Sequence, residues 1–174
     1  NSILPMHFVA EALQLIEKAY REKHQVFIIG NGGSASTASH MACDLQKTIL
    51  GHKGDRPVDR FRVISLCDNT ELITAWANDV GYDIVFSEQL KTLANEGDLL
   101  IAISASGNSP NIIRAVDIAK LKGLKVIGLT GFTGGKLREL ADVPVHAESN
   151  DYGIVENVHL IFGHLATKYL KEVS

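Results

Sequence analysis

Two loops rich in glycine, serine and asparagine are candidate phosphate-binding segments. The first reads Gly30-Asn31-Gly32-Gly33-Ser34; the second reads Ser104-Ala105-Ser106-Gly107-Asn108-Ser109 and has three hydroxyls in six residues. Each loop follows a short apolar run and precedes a stretch with helical periodicity, and a helix N-terminus favours an anion. Capping a helix needs one hydroxyl, whereas three hydroxyls can surround a phosphate without a lysine. The second loop therefore predicts a site for the phosphate monoester of a sugar, and the first is explained equally well by a tight strand-to-helix turn.

Neither loop has the pattern of a nucleotide-binding motif. No Gly-Lys-Ser/Thr follows the first loop, as a Walker loop requires, and Gly30-x-Gly32 lacks the third glycine of the dinucleotide fingerprint. The loops therefore favour a phosphosugar as the ligand over a nucleoside triphosphate.

Histidines and carboxylates at helical spacing could transfer protons or bind a metal ion. His40 and Asp44 are four residues apart and share one helix face, and the last predicted helix contains Glu156, His159 and His164. Imidazole and carboxylate are ligands for zinc and other divalent first-row metals, although a lone histidine is more often a surface or core residue. Glu156 and His164 are roughly 12 Å apart along a regular helix. They can share a metal only if the helix is bent or frayed at Glu156 or if an oligomer mixes copies; otherwise His159 is the better helical partner of Glu156.

Composition excludes several classes of protein. The chain has 174 residues, 45% of them hydrophobic and 21% charged, which is ordinary for one globular domain. Its formal net charge of −3 argues against a nucleic-acid partner. The apolar runs are far shorter than the roughly 20 residues that span a bilayer, so we expect no membrane association. Cys43 and Cys67 form no CxxC pair, and two reduced thiols predict a cytoplasmic protein.

Strands and helices are predicted to alternate along the chain. Continuous apolar runs predict five strands, and 3.6-residue periodicity predicts the helices between them. This order is typical of an α/β fold, here one domain over residues 1–174 with a five-stranded parallel sheet and helices on both faces. In such sheets ligands bind beyond the carboxyl ends of the strands, where both loops lie. The strands are predicted at 26–29, 62–66, 98–103, 125–129 and 143–145 (an edge strand, because of Pro144), the helices at 6–23, 34–49, 69–77, 84–95, 111–121, 137–140 and 154–172, and an exposed loop at 51–59.

Taken together, these motifs resemble the sugar isomerase (SIS) domain family. Residues 20–172 are similar to its phosphoheptose isomerase branch, which converts sedoheptulose 7-phosphate to D-glycero-D-manno-heptose 7-phosphate through an enediol. Besides the two loops, the resemblance rests on Ser34-x5-His40-x3-Asp44, Ala77-Asn78-Asp79, Leu129-Thr130-Gly131-x3-Gly135, and the last helix with Glu156 and His164.

The resemblance implies roles for individual residues. Substrate would contact Asn31, Gly32, Gly33, Ser34, Asn78, Asp79, Ser104, Ser106, Ser109 and Glu156, with the three serines of the second loop on the phosphate. Asp44 and His164 would be the proton-transfer pair, or, with a metal bound, Asp44 would be a ligand and His164 or a metal-bound water would be the base. One divalent cation, zinc in some members, would bind His40, Asp44, Glu156 and His164. This sequence has Asp44 where the family has glutamate and Glu156 where it has glutamine, and the added negative charge should strengthen cation binding.

Other interpretations stay open at this point. The branch is associated with homotetramers whose active sites form between subunits, and the amphipathic helix at residues 1–23 would need a partner for its apolar side. A non-catalytic SIS module that senses a phosphosugar or binds a protein, or an isomerase or epimerase of another phosphosugar, is the alternative. Asn78-Asp79 could simply end a helix before Gly81.

Overall fold

A computed structural model describes residues 5–48 and 59–173 and shows an α/β fold with one parallel sheet. The strand order is β2-β1-β3-β4-β5 and every neighbouring pair is parallel, which confirms the predicted fold class and the edge position of the last strand. Of the predicted loop 51–59, residues 51–58 lie outside the described residues. The strands are β1 (Val26–Ile29), β2 (Val63–Ser65), β3 (Leu99–Ile103), β4 (Lys125–Thr130) and β5 (Val143–His146).

Seven α-helices connect and cover the strands within the described residues. The helices are α1 (Met6–Arg21), α2 (Gly33–Lys47), α3 (Thr70–Asp79), α4 (Ser87–Leu93), α5 (Pro110–Leu121), α6 (Gly135–Leu140) and α7 (Tyr152–Val173). None of these helices is both long and apolar enough to cross a membrane.

The central strands of the sheet are buried on both faces, whereas the edge strand β2 exposes Ile64. In β1, Val26 and Ile28 belong to a core layer with α1, α2 and α7, whereas Phe27 and Ile29 belong to a layer with α4 and α5. This alternation follows from the two-residue period of a strand and explains why the strands are continuous apolar runs. Helices on both faces were predicted and are confirmed.

Three details differ from the predicted elements. The helix predicted at 69–77 begins at Thr70 and ends at Asp79; Asn69 is its cap, since the Asn69 side chain accepts a hydrogen bond from the Leu72 amide at 2.9 Å. The helix predicted at 84–95 is shorter, because a 3-10 turn occupies Tyr82–Ile84 and α4 begins at Ser87.

The third difference concerns α1, whose apolar side already has a partner inside the chain. Val9, Ala12, Ile16 and Ala19 are buried in the core layer that contains α7. The inference that this helix needs a second copy to cover its apolar side was therefore wrong.

Candidate functional site

A polar cleft lies at the carboxyl edge of the sheet, between the two loops singled out from the sequence. Its volume is about 180 Å³. The first loop, α7 and the residues that follow β3 all contribute to its wall. The lining residues are Asn31, Ser34, Ile103, Ser104, Ala105, Ser106, Ser109, Tyr152 and Glu156. Six of the ten predicted substrate-binding side chains therefore meet around one space, as the position of ligand sites in parallel sheets predicts.

The serine loop presents hydroxyl groups rather than using them as helix caps. Ser109 immediately precedes α5 but makes no side-chain capping bond. Its Oγ lies 3.4 Å from Oγ of Ser104, which is itself buried. Ser106 accepts only a long bond, 3.3 Å, from the Asn108 amide. These hydroxyls retain bonding capacity for a ligand.

Gly107 allows the serine loop to lie against the start of α6. Its φ is +68°, and a Cβ there would come within 1.8 Å of the Gly134 carbonyl oxygen. The Gly107 carbonyl accepts a hydrogen bond from the Leu137 amide at 2.9 Å. Only glycine combines this backbone conformation with such a close approach.

The first loop ends in the N-terminus of α2, and the Glu156 carboxylate lies over it. A Cβ on Gly33 would be 2.7 Å from Glu156 Oε1, so the absence of a side chain at Gly33 makes room for Glu156. Beneath the loop, the Cys67 thiol donates to the Gly30 carbonyl at 3.4 Å. Burial raises the pKa of that thiol, which keeps it protonated and a donor.

A second cluster joins α2 to α7. The Nε2 atoms of His40 and His164 are 3.1 Å apart, and Asp44 Oδ2 is 3.4 Å from the first and 3.9 Å from the second. Neighbouring donors on a tetrahedral zinc ion with bonds of about 2.0–2.2 Å are separated by about 3.3–3.6 Å. Three predicted ligands are thus positioned to hold one divalent cation, with the imidazoles about half exposed.

Glu156, the fourth predicted ligand, does not reach this cluster within the chain. It lies inside the continuous helix α7, and its carboxylate faces Gly33 and the cleft. Neither a bend nor a frayed start brings it toward His164. Glu156 lines the cleft, as its predicted contact with substrate requires. Its predicted role as a metal ligand cannot be fulfilled within a single copy of the chain.

The alternative partner His159 belongs to the core instead. It is 1% exposed, and its Nε2 donates to the Thr130 carbonyl at 3.1 Å. Its Nδ1 has no hydrogen-bond partner in the described residues. Burial lowers the pKa of this imidazole to about 4. It pins α7 to the end of β4 and does not contribute to the metal cluster.

Asn78 and Asp79 do not line the cleft in this chain. They are the last residues of α3, both exposed, and the Asn78 amide donates to Asp79 Oδ1 at 2.8 Å.

Sequence reasoning missed three polar residues around the cleft. Tyr152 lines it, and Asn111 and Tyr82 bond to Asn31. Asn111 follows the serine loop by two residues, which is the only signal that could have indicated it. Nothing in the spacing of Tyr82 or Tyr152 indicates that they reach the same place.

Comparison with known proteins gives a consistent result. The SIS domain model matches residues 6–131. The phosphoheptose isomerase of Rhodospirillum rubrum is 38% identical over 157 residues, covering 90% of this chain and 81% of that protein. The phosphoheptose isomerase of Aneurinibacillus thermoaerophilus is 37% identical over 169 residues, covering 93% and 83%.

Solved structures agree with the sequence comparisons. The structure of a phosphoheptose isomerase from Neisseria gonorrhoeae has a TM-score of 0.87 at 30% identity, covering 95% of this chain and 86% of that one. Because the SIS domain model spans most of the chain and these relatives match most of their own length, the chain belongs to the SIS domain family and, within it, to the phosphoheptose isomerases.

Proposed function

We propose that this protein is an aldose–ketose isomerase that interconverts sedoheptulose 7-phosphate and D-glycero-D-manno-heptose 7-phosphate. The observation that carries the proposal is the cleft, where three serines of one loop and Asn31 and Ser34 of another face the same space. The phosphoheptose isomerase relatives support the choice of substrate.

Substrate binding would begin at the serine loop. Ser104, Ser106 and Ser109 donate to the phosphate oxygens, and the positive end of the α5 dipole lies at the end of the same loop. The sugar contacts the first loop, at Asn31, Ser34 and the two glycines between them, Gly32 and Gly33. Glu156 can only accept hydrogen bonds when ionised, so it is suited to sugar hydroxyls rather than to the phosphate.

Proton transfer would use the cluster on α2 and α7. An enediol forms when a base removes the proton from the carbon beside the carbonyl and an acid protonates the carbonyl oxygen. The isomeric sugar forms when a proton returns to the former carbonyl carbon and the hydroxyl on the first carbon loses its proton to become the new carbonyl. Asp44 and His164 are the proposed pair, and His40 orients Asp44 across 3.4 Å. The side chains are accessible enough to meet a substrate, since His164 is about half exposed.

In the alternative arrangement, His40, Asp44 and His164 would hold a divalent cation, which we propose to be zinc, and the donor atoms that bind it would not be free to transfer protons. Bound there, the cation would polarise the substrate's carbonyl oxygen. Two imidazoles and one carboxylate leave a fourth position, which catalytic zinc sites keep for water or substrate.

An oligomer would bring Glu156 of one copy to the cluster of another. Helix α7 exposes three large apolar residues spaced along its length, Ile154, Ile161 and Leu165, at 46%, 51% and 38%. Exposed apolar rows of this kind mark protein contacts, and Leu165 adjoins His164. We therefore propose self-association through α7, in a homotetramer as the family resemblance implies. Asn78 and Asp79, outside the cleft of their own chain, would likewise contact the substrate of a partner.

The reaction is tested by incubating the protein with sedoheptulose 7-phosphate and following formation of the aldose. We expect turnover that is lost in His164→Ala and reduced by a chelator, then restored by zinc. Binding of the sugar phosphate without turnover, with or without metals, would instead indicate a phosphosugar sensor.

The shared site is tested by mixing two inactive variants. Glu156→Ala and His164→Ala are denatured and refolded together, because a mixed oligomer would contain some sites with both native residues. We expect partial recovery of activity in the mixture and none when each variant is refolded alone. A fully active monomer in sedimentation would overturn the oligomeric site.

A further inference from the structure

The side chain of Asn31 is fixed by an amide network that joins the two loops of the cleft. Asn31 Nδ2 donates to Asn111 Oδ1 at 2.9 Å, and Asn111 Nδ2 donates back to Asn31 Oδ1 at 2.8 Å. The Tyr82 hydroxyl donates to the same Asn31 oxygen at 3.0 Å. The loop after β1 is therefore tied to α5, which follows the serine loop, and to the 3-10 turn.

A backbone amide determines which side-chain atom of Asn111 is the oxygen and which is the nitrogen. The Ile112 amide donates to Asn111 Oδ1 at 3.0 Å and shares its hydrogen with the Ser109 carbonyl, also at 3.0 Å. A side-chain nitrogen in the Oδ1 position would turn its own hydrogens toward this N–H, so the oxygen is assigned there. Asn111 is 2% exposed, so a reversed amide would place its N–H groups against the Ile112 N–H, out of reach of bulk water. With Asn111 oriented, Asn31 must donate to its oxygen and accept from its nitrogen.

Counting the remaining bonds shows what Asn31 can offer a ligand. Its oxygen already accepts two hydrogen bonds, from Asn111 and Tyr82, and its nitrogen uses one of two hydrogens. One N–H is left, on a side chain that lines the cleft. The free group is a donor.

We infer that Asn31 donates its remaining N–H to an oxygen of the bound sugar, and that Asn111 and Tyr82 are positioning residues that hold Asn31 in this orientation. The 3-10 turn that carries Tyr82 is itself held to α5, since Asp83 and Arg114 form an ion pair of 2.8 Å. The inference rests on the proposed function only in taking a phosphosugar as the ligand.

The donor role predicts an order of affinities that an acceptor role would reverse. Asn31→Asp keeps acceptors for Tyr82 and Asn111 but has no N–H for the sugar. We expect it to bind sedoheptulose 7-phosphate no better than Asn31→Ala does. Calorimetry with inorganic phosphate measures how much affinity Asn31→Asp loses through the added charge alone. Relative to wild type, the affinity of Asn31→Asp for the sugar phosphate should fall by a larger factor than its affinity for inorganic phosphate. Stronger sugar phosphate binding by Asn31→Asp than by Asn31→Ala would overturn the donor assignment.

The positioning role is tested at the surface, where folding is not at risk. Tyr82 is 53% exposed, and Tyr82→Phe removes only the hydroxyl. Losing this neutral hydrogen bond should weaken sugar phosphate binding about three- to tenfold, raise KM with little change in kcat, and leave inorganic phosphate binding unchanged. Tyr20→Phe is the matched control, because its hydroxyl bonds to the Asp59 carbonyl away from the cleft. Wild-type KM and binding in Tyr82→Phe would overturn the role of Tyr82.

Asn111 is tested by the same comparison of KM, kcat and phosphate binding in Asn111→Asp. This variant keeps the acceptor for the Ile112 amide but loses the N–H that donates to Asn31. A higher KM, with kcat and inorganic phosphate binding as in wild type, supports a positioning role for Asn111. Loss of inorganic phosphate binding together with sugar phosphate binding would show a structural role and overturn the positioning role. If the wild-type protein binds the sugar phosphate but does not convert it, the proposed function is wrong, and the binding comparisons among the variants remain valid. Failure of wild type to bind either ligand would overturn both.

Discussion

The buried imidazole of His159 should make the protein lose stability as the pH falls from neutral toward 4. Burial lowers its pKa to about 4, against 6.5 in an exposed chain. Between these values the unfolded state binds a proton that the folded state does not, so acid favours unfolding. This contribution is fully present above pH 6.5 and is lost as the pH falls toward 4. From the two pKa values, the loss between pH 7.5 and pH 5 is about 2 kcal/mol.

The substitution His159→Gln separates this contribution from the other titrating groups. Glutamine can still donate to the Thr130 carbonyl but does not titrate. Urea denaturation at pH 7.5 and pH 5, at one protein concentration, should show a free energy of unfolding whose pH dependence is smaller in the variant by about 2 kcal/mol. His7→Gln removes an exposed imidazole from α1 and should behave as wild type. His146, whose pKa is also lowered by burial, is present in all three proteins, and its charge is a smaller cause of the lowered His159 pKa. Parallel pH profiles for wild type and His159→Gln would refute the reasoning.

Three further substitutions test the cleft and the metal cluster. Ser106→Ala should raise KM for the sugar phosphate about ten- to 150-fold if the hydroxyl bonds to a charged phosphate oxygen, and unchanged kinetics would exclude that contact. Gly107→Ala should lower Tm and abolish protection by inorganic phosphate in thermal unfolding, because positive φ costs a side chain about 1–3 kcal/mol and its Cβ would meet the Gly134 carbonyl. His40→Ala should lose the bound metal in elemental analysis while phosphate binding persists; metal retained at the wild-type ratio would remove His40 from the ligand set.

The sheet could be predicted from the sequence because β1, β3 and β4 are apolar runs with glycine close to an end, and the two edge strands are shorter apolar segments. The convergence of the two loops followed from the rule that parallel strands end at one edge. Helix boundaries were harder: the 3-10 turn at Tyr82–Ile84 interrupts a segment whose apolar spacing resembles a longer helix. The hydrogen bond from Tyr82 to Asn31 spans 51 residues and depends on tertiary packing, so no local pattern could have indicated it.

Helix α7 shows why three polar residues of one helix, Glu156, His159 and His164, have three different surroundings. At 3.6 residues per turn, His159 and His164 point about 140° apart around the helix axis. His159 shares its side with Val155 and Phe162, both fully buried, and so meets the end of β4.

His164 consequently points away from the core, along the face where α7 lies against α2. That is why the two other residues of the metal cluster, His40 and Asp44, come from α2. Glu156 is turned about 80° from His164 and is about 12 Å away along the axis. Since α7 is continuous between them, no change of rotamer can bring that carboxylate to the cluster of its own chain. A fourth protein ligand from position 156 would have to belong to another copy, and the refolding experiment with Glu156→Ala and His164→Ala discriminates between a shared site and a three-residue site.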